Sequence, residues 1–280
     1  MNCFQIIKSV LDEAYSSIPG DDESKDSLIS EEMENLSKKY TQLLDGIVIN
    51  YSNPVTRFAY IYKYVTSHAS YVYSLIQETE DLISIFDNEK EDVACIGGGP
   101  GSDFLGILKY LMLHDKKPNI KFHLCDKEKT WSESWNDVER KVDLEFRISS
   151  TYLSLDLTSA EDWGPHKKHL QQSDLFTMIY FVSEVYAQKD KASAYFECLF
   201  EEAKIGALFL FVDNNSQEFY SWFDDMASRY NVDIIKGDQK RMNPPSSEDK
   251  EALGEYLSKF DHKPKLSSNV AYRVGRKRQQ

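Results

Sequence analysis

A glycine-rich bend at residues 93–111 constrains the fold of this chain more than any other feature. Its sequence is VACIGGGPGSDFLGILKYL, in which an apolar run up to Ile96 gives way to glycines and apolar residues then resume at helical spacing. A buried strand that turns directly into a helix is typical of a parallel sheet with helices on both faces. We therefore expect an α/β domain that begins near this bend.

Strand-like and helix-like segments alternate from Glu91 onward. The predicted strands are 92–97, 120–125, 148–155, 175–182, 206–213, 232–236 and 269–275. The predicted helices are 102–114, 130–140, 190–204, 216–230 and a short one at 248–259. This alternation predicts an α/β fold built on a doubly wound, seven-stranded, mostly parallel sheet.

Residues 1–88 have helical periodicity instead, so we predict an N-terminal helical extension ahead of a domain at 89–280. One stripe of the segment after Pro54, RFAYIYKYVTSHASYVYSLI, predicts a packing face against the rest of the protein. The stripe consists of Phe58, Ile61, Val65, His68, Val72 and Leu75. The same segment holds five tyrosines. Its place just before the glycine bend makes it a candidate lid.

Composition limits the classes of partner. The 280 residues are 41% hydrophobic, enough for a full core, and the net charge of −13 opposes non-specific binding to nucleic acid. The basic C-terminal region is the exception and leaves RNA or an acidic partner open; its cations are Lys263, Lys265, Arg273, Arg276, Lys277 and Arg278. No apolar run reaches the roughly 18 residues of a membrane span, and the first residues lack the pattern of a signal peptide. We expect a cytoplasmic protein without a membrane partner, with the nucleus as the alternative.

Two classes of ligand compete for a glycine bend that opens a helix. Glycines allow positive φ and close approach of a ligand, and the first N–H groups of the helix attract an anionic group. A dinucleotide fingerprint needs G-x-G-x-x-G, whereas glycines 97, 99 and 101 give G-x-G-x-G and Ser102 stands at the third glycine position. This departure weakens the dinucleotide interpretation.

The stretch G-G-G-P-G-S-D resembles the first motif of the class I S-adenosylmethionine-dependent methyltransferases. That resemblance implies that Gly97, Gly99 and Gly101, with Gly98 in the same turn, approach the methionine part of the cofactor. It also implies that Asp103 lies near the cofactor's amino group. The alternative is a purely structural strand-to-helix turn.

The next two strand ends carry acids in matching places. The strand IKFHLCD ends in Asp126, and the family places its ribose-binding acid there; a carboxylate can accept from both hydroxyls at once. Lys127 follows directly and is included in the candidate site, while Glu128 could substitute for Asp126. In YLSLDLTSAEDW, the resemblance places Asp156 at the adenine amino group, with Leu157 beside the ring. Helix capping is the alternative role for both aspartates.

The fourth strand end, VSEVY, is where the family positions its methyl acceptor. Ser183 and Glu184 are similar to the Ser-Glu of protein arginine methyltransferases, but Ser193 stands where their second glutamate should follow. We predict Glu184 as the general base, Tyr186 as a positioning hydroxyl and Ser183 as a cofactor contact. For Glu184 the alternative is an acid that favours the start of a helix.

Other chemistry has weaker signals. Asn243-Pro244-Pro245 falls after the wrong strand for nucleobase amino methylation, and no cysteine at the fourth strand end is available to attack a pyrimidine. His166 and His169 lack a third ligand, so we expect no metal. The sequence therefore predicts methyl transfer from S-adenosyl-L-methionine to an oxygen or nitrogen acceptor, a protein or small molecule rather than nucleic acid. A non-catalytic protein that binds the cofactor is the main alternative, and a nicotinamide oxidoreductase is the third.

Overall fold

The fold comes from a computed structural model that describes residues 1–279, apart from the side chain of Pro165. Its helices are α1 (Cys3–Ser17), α2 (Asp22–Tyr40), α3 (Pro54–Tyr60), α4 (Thr66–Gln77), α5 (Glu80–Ile85), α6 (Ser102–Leu113), α7 (Trp131–Lys141), α8 (Lys167–Gln172), α9 (Val182–Val185), α10 (Lys189–Glu202), α11 (Gln217–Arg229) and α12 (Tyr256–Lys259). Its strands are β1 (Lys90–Ile96), β2 (Asn119–Asp126), β3 (Ile148–Ser154), β4 (Leu175–Ile179), β5 (Leu208–Asn214), β6 (Val232–Met242) and β7 (Ser268–Lys277).

The strands form a seven-stranded sheet in the order β3-β2-β1-β4-β5-β7-β6. Strands β1 to β5 run parallel, and β7 runs antiparallel to both β5 and β6. The predicted α/β class and mostly parallel sheet are confirmed. The strand order reverses between β1 and β4, and such switch points hold the ligand site of open α/β sheets.

The register brings four strand ends to one edge of the sheet. Ile96 pairs with Cys125, and Asp126 pairs with Ser154. Strand β4 lies on the other side of β1, with Thr177 opposite Cys95. The residues that follow β1, β2, β3 and β4 therefore lie side by side, although up to ninety positions separate them in the sequence.

The extension supplies a long buried helix that packs against α6 of the sheet domain. The Asn53 side chain accepts from the N–H of Val55 and Pro54 occupies the first turn, which together start α3. One π-helical turn, Ile61–Val65, then joins α3 to α4. At Gly106 of α6 an added Cβ would lie 2.5 Å from a carbonyl oxygen of α4, so these two helices touch at their backbones.

The predicted stripe on this helix is buried, but so is the opposite face. Tyr62 donates to the carbonyl oxygens of Tyr256 and His262, and Tyr71 donates to that of Leu266. The helix is covered on all sides because the chain after β6 folds back over it, which a single hydrophobic stripe does not indicate. The role of the extension as a lid stays a prediction.

A buried ion pair of the sheet domain lies where the extension meets it. Lys109 of α6 pairs with Glu248, and both side chains are fully buried. Glu248 also accepts from the N–H of Cys3, at the start of α1, at 2.8 Å. The first helix, α6 and the segment after β6 therefore meet at one carboxylate.

The largest differences from the predicted elements lie in the C-terminal third, although β4 also ends at Ile179 instead of 182, and α8 and α9 were not predicted. Strand β6 extends to Met242 instead of ending at 236, because β7 pairs with it as far as Ser268. The expected helix at 248–259 is a 3-10 turn, Lys250–Leu253, followed by the short α12. Among the residues described, no helix is long and apolar enough to cross a bilayer.

Candidate functional site

A cavity of about 370 Å³ lies at the carboxyl edge of the sheet, within the size range of small-molecule sites. Residues after β1, β2, β3 and β4 form one side of it, and residues 48–51 with Tyr60 of the extension form the other. Seven of the residues predicted from sequence line it: Gly97, Gly99, Asp126, Lys127, Asp156, Leu157 and Glu184.

The glycine turn after β1 has the positive-φ backbone conformation that its glycine content predicts. Gly97, Gly99 and Gly101 all have positive φ, at 62°, 49° and 91°. An added Cβ at Gly97 would lie 1.9 Å from the Phe181 ring. Since neither the backbone conformation nor the space tolerates a side chain, Gly97 presents bare backbone to the cavity.

Asp126 joins the end of β2 to this turn. Its Oδ2 accepts from the N–H of Gly99 at 3.0 Å, and its Oδ1 accepts from the N–H of Glu128 at 2.8 Å. Burial raises the pKa of Asp126 to about 6, although these hydrogen bonds favour the ionised form. Each oxygen keeps a second lone pair, so the carboxylate can still accept from ligand hydroxyls.

Asp156 lies at the outer end of the cavity, after β3. Lys127 donates to Asp156 at 2.7 Å, and both the N–H and the hydroxyl of Thr158 donate to its Oδ1. Partial burial opposes ionisation, but these donors hold the pKa of Asp156 below its usual range. Asp156 is therefore a fixed negative group at the mouth of the cavity.

Glu184, after β4, faces residues of the extension across the cavity. Its Oε1 accepts from the hydroxyl of Tyr40 at 2.5 Å and from that of Tyr51 at 2.7 Å. Its other oxygen, Oε2, has no such hydrogen bond within the described residues. Burial raises the pKa of Glu184 to about 7, against the effect of both tyrosine donors.

Negative charge predominates around the cavity. Four lining side chains are carboxylates, from Asp126, Glu128, Asp156 and Glu184, and one is an ammonium, from Lys127. Behind Glu184 lies the buried carboxylate of Asp213, whose pKa burial raises to about 6. An arrangement of this kind stabilises a ligand that carries positive charge.

Comparison with solved structures identifies the fold. An O-methyltransferase family protein from Burkholderia thailandensis matches with a TM-score of 0.50 and 11% identity, over 91% of this chain and 72% of that one. The chain has the class I methyltransferase fold. A SAM-dependent methyltransferase from Methanosarcina mazei gives a TM-score of 0.45 at 11% identity, over 71% of this chain and 98% of that one. The [4+2]-cyclase SpnF gives 0.46 at 12% identity, over 75% and 81%.

Sequence comparison finds no relative of this chain, since no family model and no curated protein matches it. The class I methyltransferase fold is therefore established by shape, at identities too low to transfer an activity. Function has to be argued from the cavity itself.

Two residues predicted to contact the cofactor, Asp103 and Ser183, are buried and do not line the cavity. Asp103 is 1% exposed, and its Oδ2 accepts from the hydroxyl of Thr177 at 2.5 Å. It faces the interior because the first turn of α6 packs against β4, so the expected contact of Asp103 with the cofactor's amino group is not supported. Ser183 is fully buried, and its N–H donates to Asp213.

Tyr186, predicted as a positioning hydroxyl, also lies away from the cavity. Its ring packs edge-on against Phe219 and Trp222, because the chain turns from α9 toward α11 at this point. The expected catalytic role for Tyr186 is therefore not supported.

Two of the predicted glycines serve the structure around the cavity rather than line it. A Cβ at Gly98 would lie 2.9 Å from the side chains of Cys95 and Leu124, and one at Gly101 would lie 2.8 Å from the indole nitrogen of Trp135. That indole donates to the carbonyl oxygen of Gly99 at 3.0 Å. Both glycines allow the turn to sit tightly on its neighbours.

The sequence reasoning missed the aromatic wall opposite the strand ends. Tyr51, Tyr60 and Trp131 line the cavity, and the Tyr51 and Trp131 rings lie 5.3 Å apart. Tyr40 stands behind them and reaches Glu184. The tyrosine-rich segment after Pro54 contains only Tyr60 of these residues, and its pattern does not indicate which tyrosines face a ligand.

Proposed function

We propose that the protein is an S-adenosylmethionine-dependent methyltransferase that acts on an oxygen or nitrogen acceptor. The observation that carries the proposal is the cavity itself. At the switch point of a class I methyltransferase fold, it brings together a glycine turn with bare backbone, a carboxylate after β2, another after β3 and a third after β4. These groups lie far apart in the sequence and meet because parallel strands share one carboxyl edge.

The residues present fit this cofactor. Gly97 and Gly99 offer backbone that a side chain would obstruct, and Asp126 keeps free lone pairs for two ribose hydroxyls. Leu157 would make an apolar contact with the adenine ring, and Asp156 would accept a hydrogen bond from its amino group. When bound, the cofactor supplies a methyl group on a positively charged sulfur, already activated for attack by a nucleophile.

The charge of the cavity also supports S-adenosylmethionine as the cofactor. S-adenosylmethionine carries one net positive charge from its sulfonium, ammonium and carboxylate groups, whereas a nicotinamide dinucleotide carries a pyrophosphate. Four lining carboxylates against one ammonium favour the cation and oppose the pyrophosphate. The same observation disfavours the oxidoreductase alternative.

Glu184 and the aromatic wall would receive the acceptor. Glu184 Oε2 can accept a hydrogen bond from the N–H or O–H group to be methylated, and Tyr51 and Tyr60 exclude water from the same space. No step beyond alignment and proton removal is required of the chain, because the methyl group arrives activated.

A protein or a small molecule is the favoured class of acceptor. The cations that made RNA an alternative are largely engaged within the fold: Arg273 pairs with Asp224, Arg276 with Asp81 and Arg278 with Asp233. Cations committed to internal partners have less to offer a phosphate backbone, which requires accessible positive charge.

Calorimetric titration with S-adenosylmethionine and with S-adenosylhomocysteine tests the proposal. We expect micromolar binding of both, followed by transfer of label from methyl-labelled cofactor to a fraction of small molecules or proteins. Absence of binding of either ligand would show that the glycine turn is structural and would end the proposal.

A cofactor-binding protein without catalysis is the second candidate, and one contact favours it. Glu184 Oε1 is already committed to two tyrosines of the extension, as in a site that is closed to an acceptor. Binding of both ligands without transfer of label to any protein, RNA or small-molecule fraction would support this candidate.

A further inference from the structure

Three oxygens meet where the extension contacts the end of β4. The hydroxyl oxygens of Tyr40 and Tyr51 lie 2.7 Å apart, and each is within hydrogen-bond distance of Glu184 Oε1, at 2.5 and 2.7 Å. The three atoms form a closed triangle. Each of its three sides has the length of a hydrogen bond between oxygens, so each side calls for one hydrogen.

A count of hydrogens shows which protonation state completes this triangle. Each tyrosine hydroxyl brings one hydrogen, and an ionised carboxylate brings none, which leaves three contacts with two hydrogens. A protonated Glu184 brings the third, and the donors then follow one another around the ring. Ionising a tyrosine would remove a hydrogen instead, and burial raises the pKa values of Tyr40 and Tyr51 well above their ordinary value.

The charged groups around Glu184 also favour its protonated form. Asp126 faces it from the end of β2 and Asp213 from the end of β5, and both disfavour a further negative charge. Tyr60 of α3 and Tyr64 of the π-helical turn are further titratable groups close by, and burial first and Glu184 to a smaller extent raise the pKa of both. Lys127, the ammonium of the cavity lining, is engaged with Asp156.

We propose that Glu184 carries a proton in the empty site and releases it when a cationic methyl donor binds, with Tyr40 and Tyr51 as the positioning residues that hold it. This inference rests on the proposed function. A positive charge beside the triangle reverses the electrostatic preference, since the ionised carboxylate is then paired with the cation.

Such a proton cycle suits the transfer itself. Ionised Glu184 takes the proton that the acceptor N–H or O–H loses as the acceptor bonds to the methyl carbon, while the sulfur keeps the electron pair of the broken bond. The sulfur product is neutral, so the protonated carboxyl group left behind is again the state that the empty triangle favours. Glu184 would then be ionised only while the positive charge is present.

Proton release on ligand binding tests the inference without an acceptor. Calorimetry of the full chain in two buffers of different ionisation enthalpy, at about pH 6, counts protons released by S-adenosylmethionine and by S-adenosylhomocysteine. We expect close to one more proton for the cationic ligand. Below about pH 7, the affinity for S-adenosylmethionine divided by that for S-adenosylhomocysteine should increase as the pH increases, by up to about tenfold per pH unit.

Two variants test whether the proton released on binding of S-adenosylmethionine comes from Glu184 in this triangle. Glu184→Gln keeps a carbonyl oxygen for the tyrosines but cannot ionise, so the extra proton should disappear and the affinity ratio should become nearly independent of pH. Tyr51→Phe removes two sides of the triangle and leaves one contact, which the Tyr40 hydroxyl completes with an ionised Glu184, so the midpoint should move to lower pH. A move to higher pH would show that the tyrosines act only as donors to the carboxylate and would overturn the role of the triangle. Tyr230→Phe, at the far end of α11, is the matched control and should leave the midpoint unchanged.

The failures of the two proposals are distinguishable. If both ligands bind but release the same number of protons, or if Glu184→Gln keeps the difference, the inference is wrong and cofactor binding stands. If neither ligand binds, the proposed function is wrong. An infrared difference spectrum between the wild type without ligand and Glu184→Gln detects protonated Glu184 directly. If no band of a neutral carboxylic acid is present at about pH 6, the inference is wrong.

Discussion

The two sides of the cavity are built on different principles. The side formed by the strand ends takes each of its groups from the residues that directly follow β1, β2, β3 or β4. The opposite side takes Val48, Tyr51 and Tyr60 from helices and loops of the extension, with Tyr40 reaching in behind them. Only the first side depends on the regular geometry of a sheet.

This difference teaches where specificity can reside. A parallel sheet places its carboxyl ends in one line whatever the loops contain, so a cofactor site there needs only the right residue after each strand. The extension has no such rule and depends on long-range packing. We therefore expect that the strand side determines the cofactor and that the extension side determines the acceptor.

Lys109→Met should have the largest effect, because it removes one partner of the buried pair where the extension, α6 and the segment after β6 meet. It leaves Glu248 buried without its cation, at a cost of about 3 to 5 kcal/mol of unfolding free energy. Urea denaturation measures the loss. Adding Glu248→Gln in the same chain should recover much of it, since the amide can still accept from the N–H of Cys3.

The exposed pair of Lys117 and Glu145 supplies the control for that variant. Lys117→Met should change stability by less than about 1 kcal/mol. Equal, small losses for both lysine variants would show that the buried pair contributes no more to stability than an exposed one.

Gly97→Ala tests the strand side by itself. The alanine meets a positive φ and the Phe181 ring at once, so we expect a loss of about 2 to 4 kcal/mol and no measurable binding of S-adenosylmethionine. Gly164→Ala is the control, because a Cβ there meets nothing within 4 Å. Full cofactor affinity in Gly97→Ala would remove the glycine turn from the proposed site.

Asp126→Asn tests the ribose assignment with less disturbance. The amide keeps an oxygen for the N–H of Gly99 but loses the charge-assisted bonds to the cofactor, worth about 1.5 to 3 kcal/mol. Affinity for both S-adenosylmethionine and S-adenosylhomocysteine should fall by roughly 10- to 150-fold in calorimetry. Asp143→Asn, which removes the same charge from an exposed position, should leave both affinities unchanged.

Asp213→Asn should give the smallest effect and one that depends on pH. Burial raises the pKa of Asp213 to about 6, so the folded state holds a proton that the unfolded state has lost once the pH exceeds about 4. This group therefore reduces stability as the pH rises from about 4 through 6. The asparagine can still accept from the N–H of Ser183, but its NH2 group replaces the oxygen that accepts from the N–H of Asn214, so we expect a net gain of no more than about 1 kcal/mol at about pH 8.

The stability difference between Asp213→Asn and the wild type, measured at two pH values, tests this prediction. Urea denaturation at about pH 8 should show the gain, and at about pH 4 the variant and the wild type should be closer in stability. A constant difference at both pH values would mean that the raised pKa of Asp213 does not contribute to stability in this range.

Much of the strand side could be predicted from the sequence. Gly97, Gly99, Asp126 and Asp156 were placed correctly along one edge of the sheet, because each follows a recognisable apolar strand and parallel strands share their direction. Asp103 and Tyr186 show the limit of that reasoning. Each lies only a few residues beyond a strand end, but a helix had already begun and turned the side chain toward the interior or toward α11.

The sequence by itself determined the α/β class, the position of the glycine turn and the carboxylates after β2, β3 and β4, since hydrophobic periodicity and backbone conformation are local properties. Only the tertiary structure decided that Tyr40 and Tyr51 meet Glu184, more than 130 residues away, and that Trp131 completes the wall. Those contacts depend on how buried helices pack against one another. Packing is set by the combined shape of many side chains, and no short pattern in the chain records it.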